Sequence, residues 1–158
     1  KYRPVCYGNS KRTVLTAVQK GSESDFGTAI QQIVSQYDTL DKESLYLAAR
    51  ILAYDESLRS RLHPDYEDVV RKCSMLTVAL RQQCIYGFAT GLAKNGPVDE
   101  QYLQIQTFCN EVTKQLGIGI GARCPDAGTI DFLKGEYTPE LFKKACSVLN
   151  IENRPQCR

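Results

Sequence analysis

The 158-residue chain is 42% apolar and 24% charged, an ordinary globular composition that excludes disordered and collagen-like sequence and suffices for one domain with its own core. A net charge of +2 makes neither nucleic acid nor an anionic membrane an obligatory partner, and no apolar run approaches the roughly 18–20 residues that cross a bilayer. Seven cysteines, the nearest two eleven residues apart, accompany the single histidine; this spacing excludes zinc, haem-attachment, iron–sulfur and C-x-x-C redox motifs and leaves disulfides, hence a secreted or periplasmic address.

Residues 1–21 read as a partly extended N-terminal segment, locally basic through Lys1, Arg3, Lys11, Arg12 and Lys20. A secreted origin places Lys1 near the mature start, its leader removed. Tyr2 and Tyr7 flank Cys6, and with Arg3 they make the best candidate for a contact segment. Residues 22–158 read as one helical domain. Ser22-Glu23-Ser24-Asp25 is an N-terminal signal before Phe26, Ala29, Ile30, Ile33 and Val34, which recur at helical spacing. Asp41-Lys42-Glu43-Ser44 opens a second helix with Leu45, Leu47, Ala48, Ile51 and Leu52 on a face. Pro64-Asp65 starts a third, whose stripe is Val69, Val70, Cys73, Leu76 and Leu80. A short apolar helix follows from Cys84 to Leu92 and ends at the turn Asn95-Gly96-Pro97. A long one runs from Val98 to Leu116 with Leu103, Ile105, Phe108, Cys109 and Val112. Thr138-Pro139-Glu140 caps the last, with proline at the first helical position, where its missing N–H costs nothing. No strand pair is expected.

The cysteines repeat. Cys73 to Cys84 and Cys146 to Cys157 are each C-x10-C, Cys109 to Cys124 is C-x14-C, and the first members are spaced by 36 and 37 residues. Arg81-Gln82-Gln83-Cys84 matches Arg154-Pro155-Gln156-Cys157, and Tyr66 and Tyr102 each stand seven residues before a cysteine. One more step back places Tyr37 and Ala48 where a pair would sit, so the first unit lacks its staple. A period near 36 residues is that of a helix–turn–helix repeat. The expected fold is therefore all-α: a short helix-pair solenoid or compact helical array stapled by Cys73–Cys84, Cys109–Cys124 and Cys146–Cys157. In each staple the first cysteine sits late in one helix and the second opens the next. Cys6 is left over as a free thiol, an intermolecular bond, or one end of a shifted pairing; its replacement by serine should leave the repeat core intact.

With Gln83-Cys84, Arg123-Cys124 and Lys144-Ala145-Cys146 at corresponding places, the layout over roughly residues 40–158 resembles the secreted, cysteine-rich relatives of the tetratricopeptide repeat. The cysteines are farther apart here than in that family, and its small-residue packing positions are only partly present. Cys84-Ile85-Tyr86-Gly87 is similar to the Cys-x-His-Gly signature of certain bacterial repeats, with Tyr86 in place of the histidine. Both resemblances imply an extracellular or periplasmic helical solenoid used for binding, and neither brings a catalytic residue.

Other motifs read more plainly as structure. Gly117-Ile118-Gly119-Ile120-Gly121 follows a helix rather than a strand and lacks Gly-Lys-Ser/Thr, so an extended connector is expected rather than a phosphate loop. His63 stands at a helix start without a nucleophile motif such as G-x-S-x-G, as a surface residue. Asp126, Asp131 and Glu136 are the nearest to a carboxylate cluster, and such acids usually serve solubility. Tyr66 and Tyr102, being in register, are expected to pack between repeats. The expected function is a non-catalytic module presenting a helical surface to a protein, peptide or glycan, without metal or cofactor. The alternatives are a structural subunit of an extracellular assembly, joined as a homo-oligomer through the N-terminal segment, and third a secreted hydrolase.

Overall fold

The computed structural model describes residues 25–35, 41–60, 64–94, 98–132 and 138–148. Every regular element among them is a helix: α1 (Phe26–Ser35), α2 (Lys42–Arg59), α3 (Tyr66–Ser74), α4 (Val78–Lys94), α5 (Val98–Leu116), α6 (Ile118–Gly121), α7 (Cys124–Phe132) and α8 (Pro139–Val148). The N-terminal segment, His63 and the Asn95-Gly96-Pro97 turn lie outside the described residues. No helix among the described residues is long and apolar enough to cross a membrane.

Aspartates begin the first three helices by the same chemistry. Asp25 Oδ1 accepts from the amides of Gly27 and Thr28 at 2.8 and 3.1 Å, Asp41 Oδ1 from Ser44 at 2.9 Å, and Asp65 Oδ1 from Asp68 at 3.0 Å. Each satisfies amides that have no partner inside the helix. Pro139 opens α8, where the Phe142 amide reaches the Thr138 carbonyl at 2.9 Å.

The core is built around α4. From Cys84 to Ala93 every residue of α4 except Tyr86 is buried. The most extensive helix contacts are those of α4 with α2 and with α7, while α3 and α5 also pack on it. Outside these, α1 packs on α2 and α3, α6 on α5, and α8 on α7. Phe88, Phe108, Ile30, Ile85 and Ile105 are among the largest fully buried side chains. Phe88 and Phe108 stack at 4.7 Å between ring centres, and Tyr66 meets them edge-on at 6.1 and 5.7 Å. Tyr66 and Tyr102 are both half-buried against this core.

Glycine sets the helix spacing. A Cβ on Gly87 would lie 2.1 Å from the Arg50 carbonyl oxygen, and one on Gly91 1.6 Å from Ser57 Oγ and 3.1 Å from the Tyr54 carbonyl. On the other side of α4, a Cβ on Gly128 would lie 3.0 Å from the Ala89 carbonyl oxygen. Helices α2, α4 and α7 therefore approach through bare backbone.

Three local expectations are corrected. The helix begun by Asp65 ends at Ser74, and α4 starts at Val78, so Cys84 lies well inside α4 rather than at its start. The stripe Val69, Cys73, Leu76, Leu80 stays buried across the break, which concealed it. The break is made by short-range bonds: Met75 N–H to Lys72 O at 3.2 Å and Leu76 N–H to Cys73 O at 3.1 Å tighten the last turn. The run 117–121 is not extended. Gly117 takes φ 82°, its amide reaches Thr113 O at 3.0 Å, and Ile118–Gly121 then form one helical turn. Finally, Val34, Leu47 and Leu103 are exposed, because Ala48, Ala49 and Ala53 fill the α2 interface and Ile105, Phe108 and Val112 that of α5.

Candidate binding surface

Two of the expected staples are present. Cys73 and Cys84 are bonded with Cα atoms 5.8 Å apart, joining α3 to α4, and Cys109 and Cys124 with Cα atoms 5.5 Å apart, joining α5 to α7. Cys124 opens α7, as the spacing predicted. Cys146 in α8 is disulfide-bonded as well, while its expected partner Cys157 lies outside the described residues. So do Cys6, Tyr2, Arg3 and Tyr7.

The residues flanking the seam between α2 and α4 form the best-defined polar surface. Arg50 O sits against Gly87 and Tyr54 O against Gly91, and Tyr86 and Thr90 are the residues that precede these two glycines in α4. Arg50 is exposed, and Tyr54 and Tyr86 are half-buried. Tyr86 Oη accepts from Gln82 Nε2 at 2.7 Å, which fixes its ring direction. Thr90 is 7% exposed, and its hydroxyl has no hydrogen-bond partner. A buried hydroxyl left unbonded costs about 1–3 kcal/mol, so the fold carries it at a cost. The sequence held a signal for this set: Arg50 to Tyr86 and Tyr54 to Thr90 are both steps of 36 residues. Neither pair keeps one residue type, so the spacing alone does not single the set out. Gly87 and Gly91, inside an apolar helix, were the second signal, since interior glycine there marks close backbone approach.

A second polar group lies on α2 and α3, where Lys72 also reaches α1. Lys72 Nζ binds Asp68 Oδ2 at 2.7 Å, and its stem passes 3.3 Å from where a Gly27 Cβ would stand. Arg71 also pairs with Asp68, and Arg59 with Glu56 at 3.2 Å. The hydrogen bond from Lys72 holds the Asp68 carboxyl below its ordinary range. Burial raises Glu56, against the pull of Arg59 and Lys72, and burial likewise raises Asp55. Among the described residues no three histidine, cysteine or carboxylate side chains are placed to hold a metal ion. Asp126 is buried in α7, while the side chain of Asp131 and all of Glu136 lie outside the described residues.

Large apolar side chains are also exposed at the corners that follow α3 and α5: Met75 at 48%, Val78 at 67% and Ile118 at 77%. Compared with protein-family models, characterised proteins and solved structures, the chain matches none.

Proposed function

We propose that this chain is a non-catalytic binding module of an oxidising, extracellular or periplasmic compartment, built from repeated helix pairs. The disulfides support that address. Two recurring contacts support the repeat. A long side chain late in one helix lies over the first turn of an earlier one: Lys72 of α3 over Gly27 of α1, and Gln115 of α5 onto Glu67 O of α3 at 3.2 Å. A glycine of one helix also seats on a carbonyl of another, Gly87 on Arg50 and Gly128 on Ala89. In this reading α1, α3 and α5 form one layer and α2, α4 and α7 the other, in the manner of the secreted, cysteine-rich relatives of the tetratricopeptide repeat.

The observation that carries the binding role is the α2–α4 seam. Tyr54 and Tyr86 offer flat apolar rings with polar edges, and Arg50 a planar donor. Such a set suits an extended peptide, a protein loop or a glycan. The test is to probe peptide and glycan arrays with the native protein and with Tyr86→Ala and Arg50→Ala. Binding by the native protein that falls at least about tenfold in either variant, with unchanged far-ultraviolet circular dichroism, supports the reading. No binding, or binding that both variants retain, overturns it.

The exposed Met75, Val78 and Ile118 favour a second reading, a subunit of an extracellular assembly with Tyr2, Arg3 and Cys6 reaching a neighbour. Sedimentation at rising concentration, with and without reductant, separates the two: a monomer throughout excludes the assembly.

A further inference from the structure

The two cystines stand at corners of different construction. Arg81 and Gly121 occupy the same place, each three residues before the second cysteine of a pair. At the α3–α4 corner Arg81 Nη2 donates to Ser74 O at 2.9 Å and to Leu76 O at 3.1 Å. Ser74 O ends α3 and Leu76 O lies in the turn that follows it, so the guanidinium of α4 grips the end of the helix before it and its connection to α4. A charged donor on two carbonyls is a strong, directional hold. At the α5–α6 corner Gly121 has no side chain with which to do this. Nor can it be given one, because a Cβ there would lie 2.1 Å from Thr113 Oγ1 and 2.8 Å from Thr113 Cα. Arg123, close by in sequence, is exposed. The second corner is also longer, with a cysteine separation of 15 against 11, and Ile118 and Gly119 face solvent.

All four sulfurs belong to buried residues. A thiolate must reach a disulfide sulfur to reduce it, so reduction of the native protein waits on local opening. We propose that, of the two joints Cys73–Cys84 and Cys109–Cys124, the second is the more redox-sensitive, and that the Arg81 grip protects the first. A small dithiol supplies the two electrons. Its thiolate attacks one sulfur, the S–S bond breaks, and the mixed disulfide is resolved by the second thiol, which closes the reagent's own cyclic disulfide. Cys109 and Cys124 leave as two thiols, having gained two protons in all. Once the bond is cut, the start of α7 is released from α5. The seat of Gly128 on Ala89 and Ile105 then loses its nearest covalent anchor, while the α3–α4 corner stays closed.

The test is a time course of dithiothreitol on the native protein below its melting temperature, quenched by alkylation and mapped by peptide mass spectrometry. Cys109 and Cys124 should be labelled at least about tenfold faster than Cys73 and Cys84, a difference of roughly 1.4 kcal/mol in opening. Arg81→Gln should bring the labelling of Cys73 and Cys84 up towards that of the other pair. Equal rates in the native protein, or faster labelling of Cys73 and Cys84, overturn the proposal without any variant. A variant that folds yet leaves the order unchanged removes Arg81 from it.

Discussion

Glycine at residue scale has three different meanings in this chain. Gly87 is a contact: its missing Cβ is the space occupied by the Arg50 carbonyl. Gly117 is a conformation, at φ 82° with open space around it. Gly119 is neither, since nothing lies within 4 Å of its Cβ position and its φ is ordinary. Gly87→Ala must push α2 and α4 apart and should cost roughly 1–3 kcal/mol, while Gly119→Ala should be neutral or stabilising by up to about 1 kcal/mol. Urea unfolding of the two variants checks this. Equal midpoints would mean that the α2–α4 seam yields readily, and that its rigid spacing has been overstated.

At the scale of the helix, charge is placed where the ends need it. Asp25, Asp41 and Glu111 are held below the ordinary carboxylate range by hydrogen bonds, chiefly from Thr28, Ser44 and Gln115, and Asp68 is held there by Lys72. A carboxyl depressed in the folded state contributes stability that is full above its unfolded value, about pH 4, and is lost as pH falls through its folded value. Asp55 and Glu56 run the other way, since burial raises them and their protonation relieves a buried charge as pH falls. Among the described carboxyls the four depressed groups lose their contribution to stability as pH falls below about 4, which gives the protein an acid limb. Asp68→Asn should flatten that acid limb, read as urea midpoints between pH 7 and pH 3. A slope unchanged by the substitution would remove the Lys72 pair from the account. The same scale explains the hidden break between α3 and α4. A helix interrupted by short-range bonds, without glycine or proline, keeps its buried stripe, so periodicity alone reads it as continuous.

For the whole molecule, the staples bear on the unfolded chain more than on the folded one. Closing loops of 11 and 15 residues contributes about 3 kcal/mol each in the chain-entropy account, a large share of an ordinary domain's 5–15 kcal/mol. Loss of these two bonds should therefore lower the melting temperature by roughly 12–24 °C, and reduction of the Cys146 bond would add to that. Helical circular dichroism should persist below the new transition, because the core of α2, α4, α5 and α7 is apolar and remains able to pack. A reduced chain without helical signal at any temperature would show that the disulfides are required for folding and do not merely stabilise the folded state.

What the sequence determined by itself is local or spaced along the chain. Asp41 and Asp65 announced their helices because a cap needs only a carboxylate next to its own amides. The pairings Cys73–Cys84 and Cys109–Cys124 followed from spacing because a staple across one turn has few other partners within reach. Tyr66 proved to be packing, as its register implied, edge-on against Phe88 and Phe108. The tertiary structure alone decided which faces meet. Leu47 fits its helical stripe yet faces outwards, because alanine in α2 and glycine in α4 draw the backbones together and leave no room for larger side chains between them, and Leu103 does so because Ile105, Phe108 and Val112 take the buried face of α5. The bare carbonyl of Arg50, the idle hydroxyl of Thr90 and the grip of Arg81 on α3 likewise arise only when separate helices are brought side by side. Distance between helices is a property of the packed core, and no single helix carries it.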